Sequence, residues 1–443
     1  MAHRPHAPAS PPRSRTSAAL LAVAFSWLPV GTLSGCSGES EGTGGSSART
    51  SSTTQSVEWY DPATRRFKRS QGETLYGQFV GERTWWYQTQ QVERDGRYDE
   101  QGRETGDWVE YHPNGVDRAR YGYVDGLLDG EWTSWHPNGE KQERGGYAAG
   151  QKTGVWETWY VTGRPESRAT YEAGKRVGPF LAWHEDGSVR ERGNYVDGEE
   201  DGLHEGFAPG GGGQLINRGE FRLGRPVGTL ESWYPDGSRK QVLPTMDGER
   251  HGEERAWWDN GQVRYTRHWD RDEPTGEELQ YHADGSRHIA RQFVDGALEG
   301  ILRVWHPGGH LQGLVTYRAG AKVGVARNWT EAGVLEYMVV QVADQEDGLH
   351  QSWFPSGGRK QFGLMRAGVR SGPWFAWSEA GALVEELSGL YEAGRRTAPL
   401  GPEDRDRAAA LEADPSPRPV ESDEVDPLTL FDANGEPRDG AGG

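Results

Sequence analysis

The sequence predicts an all-β protein, an elongated single-layer antiparallel sheet or solenoid built from stacked two-stranded β-hairpin repeats. A glycine-anchored motif recurs every 24 residues between Gly77 and Ala398, and an aromatic residue follows each anchoring glycine at a fixed distance. The chain has 64 Gly, 19 Trp and 17 Tyr, but only 34% of its residues are hydrophobic. Short aromatic strands between tight turns account for that composition better than long helices do.

The anchoring glycine of each unit, which we call position 0, sets the period. The step is 24 residues throughout except for one step of 26, and the longer step coincides with Gly210 to Gly213. Two extra residues in a turn add little to the cost of closing it. The position 0 glycines are Gly106, Gly130, Gly154, Gly178, Gly202, Gly228, Gly252, Gly276, Gly300, Gly324, Gly348 and Gly372.

Position +5 of every unit is aromatic. A degenerate unit around Gly77, Gly81 and Trp86 precedes the series, and the fragment from Tyr391 to Gly394 closes it. Because these rings fall in register, we expect them to form a continuous ladder on one face, with contacts mainly between neighbouring units. The +5 aromatics are Tyr111, Trp135, Trp159, Trp183, Phe207, Trp233, Trp257, Tyr281, Trp305, Trp329, Trp353 and Trp377.

Each unit contains two strands and two turns. The segment from Glu131 to Trp135 is followed by His-Pro-Asn-Gly, and proline, asparagine and glycine favour the dihedral angles of a tight turn. A second strand, from Lys141 to Tyr147, leads to a second turn at Ala149-Gly150. Stacked hairpins of this kind build an extended antiparallel sheet.

The amino-terminal region predicts a lipoprotein signal peptide over residues 1–35. It contains three arginines and no acidic residue, followed by an apolar stretch from Ala18 to Val30 that is too short to span a membrane stably. The following Leu-Ser-Gly-Cys resembles the lipobox of bacterial lipoproteins, with Cys36, the sole cysteine, as the site of lipid attachment. The competing interpretation is a secretory signal that is cleaved slightly earlier and leaves a free thiol.

The remaining chain divides into three segments. Residues 36–56 predict a lipidated, flexible tether rich in Ser, Gly and Thr. Residues 57–398 form the repeat array, about twelve units long and degenerate at both ends. Residues 399–443 are rich in Pro, Asp and Glu, which predicts an acidic disordered tail.

Charge and motif content exclude several functions. The formal net charge is −18, which disfavours nucleic acid and anionic lipid as partners, so we expect membrane contact through the lipid anchor only. The chain lacks HExxH, G-x-S-x-G and Walker phosphate-loop motifs and any spaced Cys/His cluster. We therefore expect a protein that is not an enzyme and needs no cofactor.

Two recurring polar positions resemble metal or acid–base sites, but both are better explained by turns. Histidines directly follow the +5 aromatic in five units, and such histidines should lie about 10 Å apart, too far to share one ion. Aspartates precede glycine at many predicted turns, where Asp-Gly is the ordinary composition. We expect no metal site from either set. The histidines are His112, His136, His184, His282 and His306, and the aspartates are Asp125, Asp186, Asp197, Asp236, Asp247, Asp284 and Asp295.

Units with two tryptophans offer candidate binding residues. The two rings are three positions apart, so in a strand they point to opposite faces. If the +5 rings form the ladder, then Trp132, Trp156 and Trp374 lie on the other face. They are either covered there by long charged side chains or exposed as a row able to grip sugars or a protein.

The motif G-x-x-x-G-x-W-x-x-W-x-x-x-G, followed by Tyr/Phe-x-x-G, resembles the MORN-repeat variant family. Many bacterial members of that family carry an antitoxin-like label. Classical MORN repeats are associated with membrane recognition and protein scaffolding, although this chain departs from the classical E-G-x-W…D-G-x-x-Y-x-G spacing. The resemblance implies a stacked hairpin fold and a binding role.

Our leading hypothesis is a membrane-anchored, non-enzymatic scaffold or binding module in the bacterial envelope, on the outer membrane, with a protein partner. The first alternative is an antitoxin-type inhibitor that neutralises a toxin by direct binding. The second is envelope glycan binding through rows of tryptophans.

Overall fold

The computed structural model describes residues 52–210 and 212–413. The signal peptide, Cys36 and most of the tether lie outside the described residues, as does the chain beyond residue 413. The lipid-attachment prediction therefore has no structural counterpart in the described chain.

The described residues form one open antiparallel sheet of 32 strands, which confirms the predicted fold class. Strands adjacent in sequence pair with each other, and three units carry an additional two-residue strand separated from the main strand by one residue. In chain order, β1 to β32 are Thr54–Trp59, Lys68–Leu75, Gln78–Trp86, Val92–Tyr98, Glu104–Tyr111, Asp117–Val124, Leu127–Leu128, Gly130–Trp135, Lys141–Ala148, Gln151–Trp159, Pro165–Glu172, Lys175–Trp183, Val189–Val196, Glu199–Glu200, Gly202–Phe207, Leu215–Arg222, Arg225–Trp233, Arg239–Met246, Glu249–Arg250, Gly252–Trp257, Val263–Asp270, Glu273–Tyr281, Arg287–Val294, Ala297–Trp305, Leu311–Arg318, Ala321–Trp329, Leu335–Val342, Gln345–Trp353, Arg359–Arg366, Val369–Ala376, Gly389–Glu392 and Arg395–Ala398.

Two kinds of turn alternate along the sheet. At the first, His112 N–H donates to Val116 O at 2.7 Å and Gly115 N–H donates to His112 O at 2.8 Å, with Gly115 at φ 84°. This is a three-residue loop that ends in a left-handed residue. At the second turn, Asp125 and Gly126 have φ 52° and 80°, as a two-residue type I′ turn requires. The predicted unit of two strands and two turns is confirmed.

The type I′ turns also join neighbouring units. Gly126 N–H donates to Glu104 O at 3.0 Å, and Gly150 N–H donates to Leu128 O at 2.7 Å. Each bond links a turn to the strand of the preceding unit, about one repeat earlier in the chain. Backbone hydrogen bonds therefore connect successive turns of this row. We call the row the type I′ edge.

A β-bulge begins at the glycine at position 0. In the pairing of β9 with β10, Thr153 lies opposite Gly146 and Glu157 lies opposite Arg144. Three residues, 154 to 156, thus face the single residue Gly145, and Gly154 has φ 69°. A positive φ is easily adopted only by glycine, which explains why position 0 is glycine in every unit.

The bulge lays the side chain at position +2 across the facing residue of the preceding strand. A Cβ atom at Gly145 would overlap the Trp156 ring, and one at Gly193 would overlap the His204 ring. Where position +2 is Phe180, the facing residue is Ala169, which packs in the same buried cluster. In these three units a large residue at +2 is matched with a small facing residue, so the two positions fill one volume.

The ring-to-ring ladder lies on the +2 face and not, as predicted, along the +5 row. On this face +2 rings alternate with tyrosines or phenylalanines of the following strand, as in the stack of Trp132, Tyr147, Trp156 and Tyr171 at centroid distances of 5.8, 5.1 and 6.2 Å. Most of these contacts are edge-to-face, the favoured geometry for aromatic pairs. The expectation was wrong because successive +5 rings are separated by two strands. A +2 ring and the tyrosine or phenylalanine that follows it lie on adjacent strands and can touch.

The +5 aromatics pack on the opposite face through intervening side chains. Trp329 and Trp353 form a buried cluster with Leu335 between them. Elsewhere a cation from the preceding unit lies over the ring, as Lys141 Nζ does at 5.8 Å from the Trp159 centroid. Both faces of the sheet are therefore covered by its own side chains.

Charged residues replace the rings at +2 in two successive units. Glu278 is 1% exposed and accepts hydrogen bonds from Arg267 at 2.7 Å, Arg291 at 2.8 Å and Gln280 at 2.6 Å. Burial raises the pKa of the Glu278 carboxyl, but the three hydrogen bonds and the Arg267 charge outweigh it, so the pKa lies below its ordinary value. The carboxylate thus replaces a ring only because its donors are in place.

The carboxyl-terminal end of the sheet is covered by a helix, α1 (Pro402–Ala413). Ala408 and Leu400 are buried against Phe375 and Trp377, and Arg405 Nη2 donates to Glu385 Oε2 at 2.9 Å. The structure differs here from the sequence expectation, which assigned residues 399–443 to a disordered tail. The helix was not predicted because its composition is polar. It covers the apolar surface of the last unit, as terminal repeats of such arrays require.

We predict that Gly145→Ala destabilises its unit by about 1–3 kcal/mol, because the new methyl group overlaps the Trp156 ring. Adding Trp156→Phe recreates the Ala169–Phe180 pairing found one unit later. The double variant should therefore lose less stability than the sum of the two single variants. Native-state hydrogen exchange of residues 141–159 measures the effect.

Gly358→Ala is the matched control, because the nearest atom to a Cβ there is 4.0 Å away. Its exchange should stay close to that of the unaltered chain. Additive losses in the double variant would show that the two positions do not share one volume.

Candidate functional site

The structure removes the candidate binding role of the first tryptophan in each pair. Trp156 and Trp374 are 3% and 1% exposed, and Trp132 stacks on Tyr121 with ring centroids 4.8 Å apart. These rings were expected on a free face, but the bulge folds them onto the neighbouring strand. Trp132, Trp156 and Trp374 therefore belong to the packed ladder and present no row of rings to a ligand.

The histidine column is a line of hydrogen bonds between units. The residue at +6 donates to the main-chain carbonyl of the +5 aromatic in the next unit at 2.7 to 3.1 Å. A carbonyl only accepts, so each histidine carries a proton on Nε2. Tyrosine and tryptophan make the same bond in other units. The donors are Tyr87, His112, His136, Tyr160, His184, Tyr234, Trp258, His282 and His306.

The recurring aspartates lie in turns, as expected. Asp125, Asp197, Asp247 and Asp295 occupy the first position of type I′ turns at φ 48–54°. In the other kind of turn, Asp186 Oδ1 accepts from Ser188 N–H at 2.8 Å and also from the Ser188 hydroxyl. These bonds, led by the Ser188 hydroxyl, lower the pKa of the Asp186 carboxyl to about 2.

We predict that Tyr160→Phe weakens the junction with the next unit, since the hydroxyl donates to Trp183 O at 2.7 Å. Loss of this bond should cost about 1 kcal/mol and speed amide exchange in residues 183–188 roughly fivefold. Tyr160→His is the matched control, because histidine makes the same bond at five equivalent positions. Equal exchange rates in the two variants would contradict this role of the column.

The residue that precedes each type I′ turn forms an exposed row along the array. Position +18, the last residue before each type I′ turn, is exposed in all eleven units from Val124 to Arg366. Aliphatic residues are open to solvent here: Val124 is 55% exposed and Val294 is 47% exposed. We call this row the +18 row.

The +18 row has a pattern of its own. From Val196 onwards aliphatic and charged residues alternate, so each class returns every second unit. Most aliphatic turns continue with aspartate, as in Val294-Asp295, whereas most charged turns continue with alanine or leucine, as in Arg318-Ala319. The row reads Val196, Arg222, Met246, Asp270, Val294, Arg318, Val342 and Arg366.

A cleft of about 340 Å³ interrupts the sheet surface at the 26-residue unit. Its lining includes the apolar residues Phe221, Leu230 and Leu243 and the polar residues Glu191, Glu200 and His204. It also borders Gly206 at position +4, where every other unit from Gly106 to Gly372 has a side chain. The cleft was not predicted from the sequence, although the longer step, the glycine at +4 and a histidine at +2 coincide in this one unit.

The fold and its surfaces define a β-hairpin repeat protein, and the sequence comparison names the repeat. The MORN repeat variant family profile matches residues 128–148 and 250–270. Both matches begin just before position 0 and end at the +18 row, so they cover one bulge and one hairpin each. MORN-variant repeats thus occur at these two places in the chain. No curated protein matches the chain as a whole.

Solved structures with similar segments belong to much longer chains. The chain aligns with a TcdB2-TccC3 crystal structure at 11% identity, covering 78% of this chain and 22% of that one, with a TM-score of 0.15. It aligns with the Photorhabdus luminescens Tc holotoxin pore at 12% identity, covering 78% and 21%, with a TM-score of 0.15. The chain therefore spans about a fifth of the length of these proteins.

Among the described residues, none of the helical structure has the length and hydrophobicity needed to cross a bilayer.

Proposed function

We propose that this protein is a non-enzymatic binding module that presents the +18 row to a protein partner in the bacterial envelope. The observation that carries the proposal is the uniform exposure of this row together with its alternating aliphatic and charged residues. The array's own side chains pack on both faces of the sheet, whereas the +18 residue is exposed in every unit from Val124 to Arg366. Repeat arrays commonly bind partners through surfaces of this extended kind.

The spacing of the row favours an extended or repetitive partner. Two strands advance the sheet by roughly 10 Å, so aliphatic residues in every second unit recur at about 20 Å. The units between them carry a charged residue at this position, which is basic in three of four cases, Arg222, Arg318 and Arg366, and acidic at Asp270. A partner with matching acidic and apolar groups at that interval would contact several units at once, and weak contacts would then add up.

The glycan-binding alternative loses its support, because it required exposed rows of Trp132, Trp156 and Trp374. The antitoxin-type alternative is one kind of direct protein binding. Identifying a crosslinked partner would distinguish an antitoxin-type inhibitor from a scaffold, because such an inhibitor requires a toxin as its partner.

We predict that a photo-crosslinking amino acid at Val196 or Val294 captures the same envelope protein in the native host. Both positions lie in the +18 row. Val161 is the matched control, because it is 52% exposed but lies in a turn at the opposite edge of the sheet. An adduct of equal yield from Val161, or different adducts from Val196 and Val294, would contradict binding along this row.

We further propose that Cys36 carries a lipid and tethers the array to the outer membrane through residues 36–56. The support is the Leu-Ser-Gly-Cys sequence directly after an apolar stretch. Radiolabelled palmitate should be incorporated into the protein, and Cys36→Ala should abolish the label, since Cys36 supplies the thiol. Persistent labelling of Cys36→Ala would place the anchor elsewhere and remove the argument for an envelope partner.

A further inference from the structure

The cleft of the 26-residue unit brings three metal-ligating side chains together. One ligand atom each from Glu191, Glu200 and His204 lies within 4.8 Å of the others. No other group of three such side chains among residues 52–210 and 212–413 meets this spacing. His204 is 7% exposed, whereas both glutamates are partly open to the cleft.

The imidazole of His204 is held with one nitrogen free. Its Nε2 lies 2.8 Å from Asn194 O and 3.2 Å from Asn194 N. The carbonyl contact is the shorter, and the indole of Trp156 makes the equivalent bond, donating to Gly146 O at 3.1 Å. Nε2 is therefore the protonated nitrogen, and Nδ1 carries the lone pair.

That free nitrogen faces two carboxylates without a cation among them. Nδ1 is buried and has no hydrogen-bond partner, and it lies 3.8 Å from Glu200 Oε1. The nearby arginines, Arg192 and Arg218, pair instead with Glu205, at 2.7 and 3.8 Å. A buried polar atom without a partner costs free energy, and a bare lone pair opposite two negative charges adds to that cost.

A second histidine at +2 shows how the chain satisfies this position when no ion is needed. His350 also follows a glutamate at four residues' distance, but its Nδ1 lies 3.1 Å from Glu346 Oε2 and bonds to it directly. The residue equivalent to Glu191 in that unit is Tyr337, so a second carboxylate is missing. Only the unit of His204 therefore has both a histidine nitrogen without a hydrogen-bond partner and a second carboxylate beside it.

We propose that Glu191, Glu200 and His204 bind one divalent transition-metal ion, with Zn²⁺ as the best match. A cation between the three side chains would accept the Nδ1 lone pair and neutralise both carboxylates. The Nε2 bond to Asn194 O fixes the tautomer and ring orientation, as main-chain carbonyls commonly do for metal-bound histidine. One nitrogen and two carboxylates suit Zn²⁺, whereas Ca²⁺ needs six to eight oxygen ligands.

The geometry requires only a small movement of the glutamates. Ligands about 2.1 Å from a tetrahedral ion lie about 3.4 Å from each other, so the present separations must close by about an ångström. Both glutamate side chains border the cleft and are partly exposed. With three protein ligands, the fourth position of the ion would face the cleft, beside Leu230 and Leu243.

Calorimetric titration of the full chain with Zn²⁺, purified without a polyhistidine tag, tests this inference. We expect one saturable site. His204→Phe should weaken it by more than about 100-fold, since losing a ligand exceeds the 10–100-fold effect of changing an outer partner. The preceding unit has Phe180 at this position, so His204→Phe should keep the fold. Circular dichroism checks this.

Three further variants separate ligation from structure. Glu191→Gln and Glu200→Gln change partly exposed side chains, so they should weaken the site while leaving the circular dichroism spectrum unchanged. His350→Phe is the matched control and should leave Zn²⁺ affinity unaltered. The proposal is overturned if the chain has no saturable site, or if affinity survives His204→Phe or both glutamine variants. The result does not depend on the +18 row, because neither the site nor its readout involves the partner.

Discussion

The bulge after the glycine at position 0 is the constraint on which the rest of the structure depends. A single-layer sheet has no second layer to bury its side chains. By placing three residues opposite one, the bulge lays the +2 side chain across the preceding strand, so Trp108 and Trp374 become 1% exposed without any covering layer. The sheet therefore buries its rings in itself, and each unit depends on its neighbour for that burial.

The same device explains where function is available. The +2 and +5 rows pack on the two faces, and residues at the turn edges stay exposed. At the type I′ edge, turn geometry fixes the backbone but not the residue at +18. A different surface occurs at the irregular unit, where Gly206 borders the cleft and His204 places an imidazole at +2. The regular units thus extend the exposed +18 row, whereas the 26-residue unit carries the cleft and the proposed metal ligands.

Periodicity alone predicted the sheet, both kinds of turn and the turn role of the aspartates. It failed where pairing register decides the outcome. Alternation correctly places Trp156 and Trp159 on opposite faces, but it contains no sign that three residues would oppose Gly145 and fold the ring inward. The site at His204 depends on contacts across strands, such as Glu191 with Glu200, which spacing in one strand does not reveal. Helix α1 was missed because its polar composition resembles a tail.

Deletion of one complete unit tests the nearest-neighbour account most directly. Removing Gly130 to Thr153 joins Asp129 to Gly154, so Trp156 would meet Tyr121, as Trp132 does in the intact chain. Every hydrogen bond between units then has an equivalent replacement. The account predicts that the shortened chain folds and that amides beyond residue 250 keep their hydrogen-exchange protection. Loss of protection throughout the array would show that stability is not a sum over adjacent units.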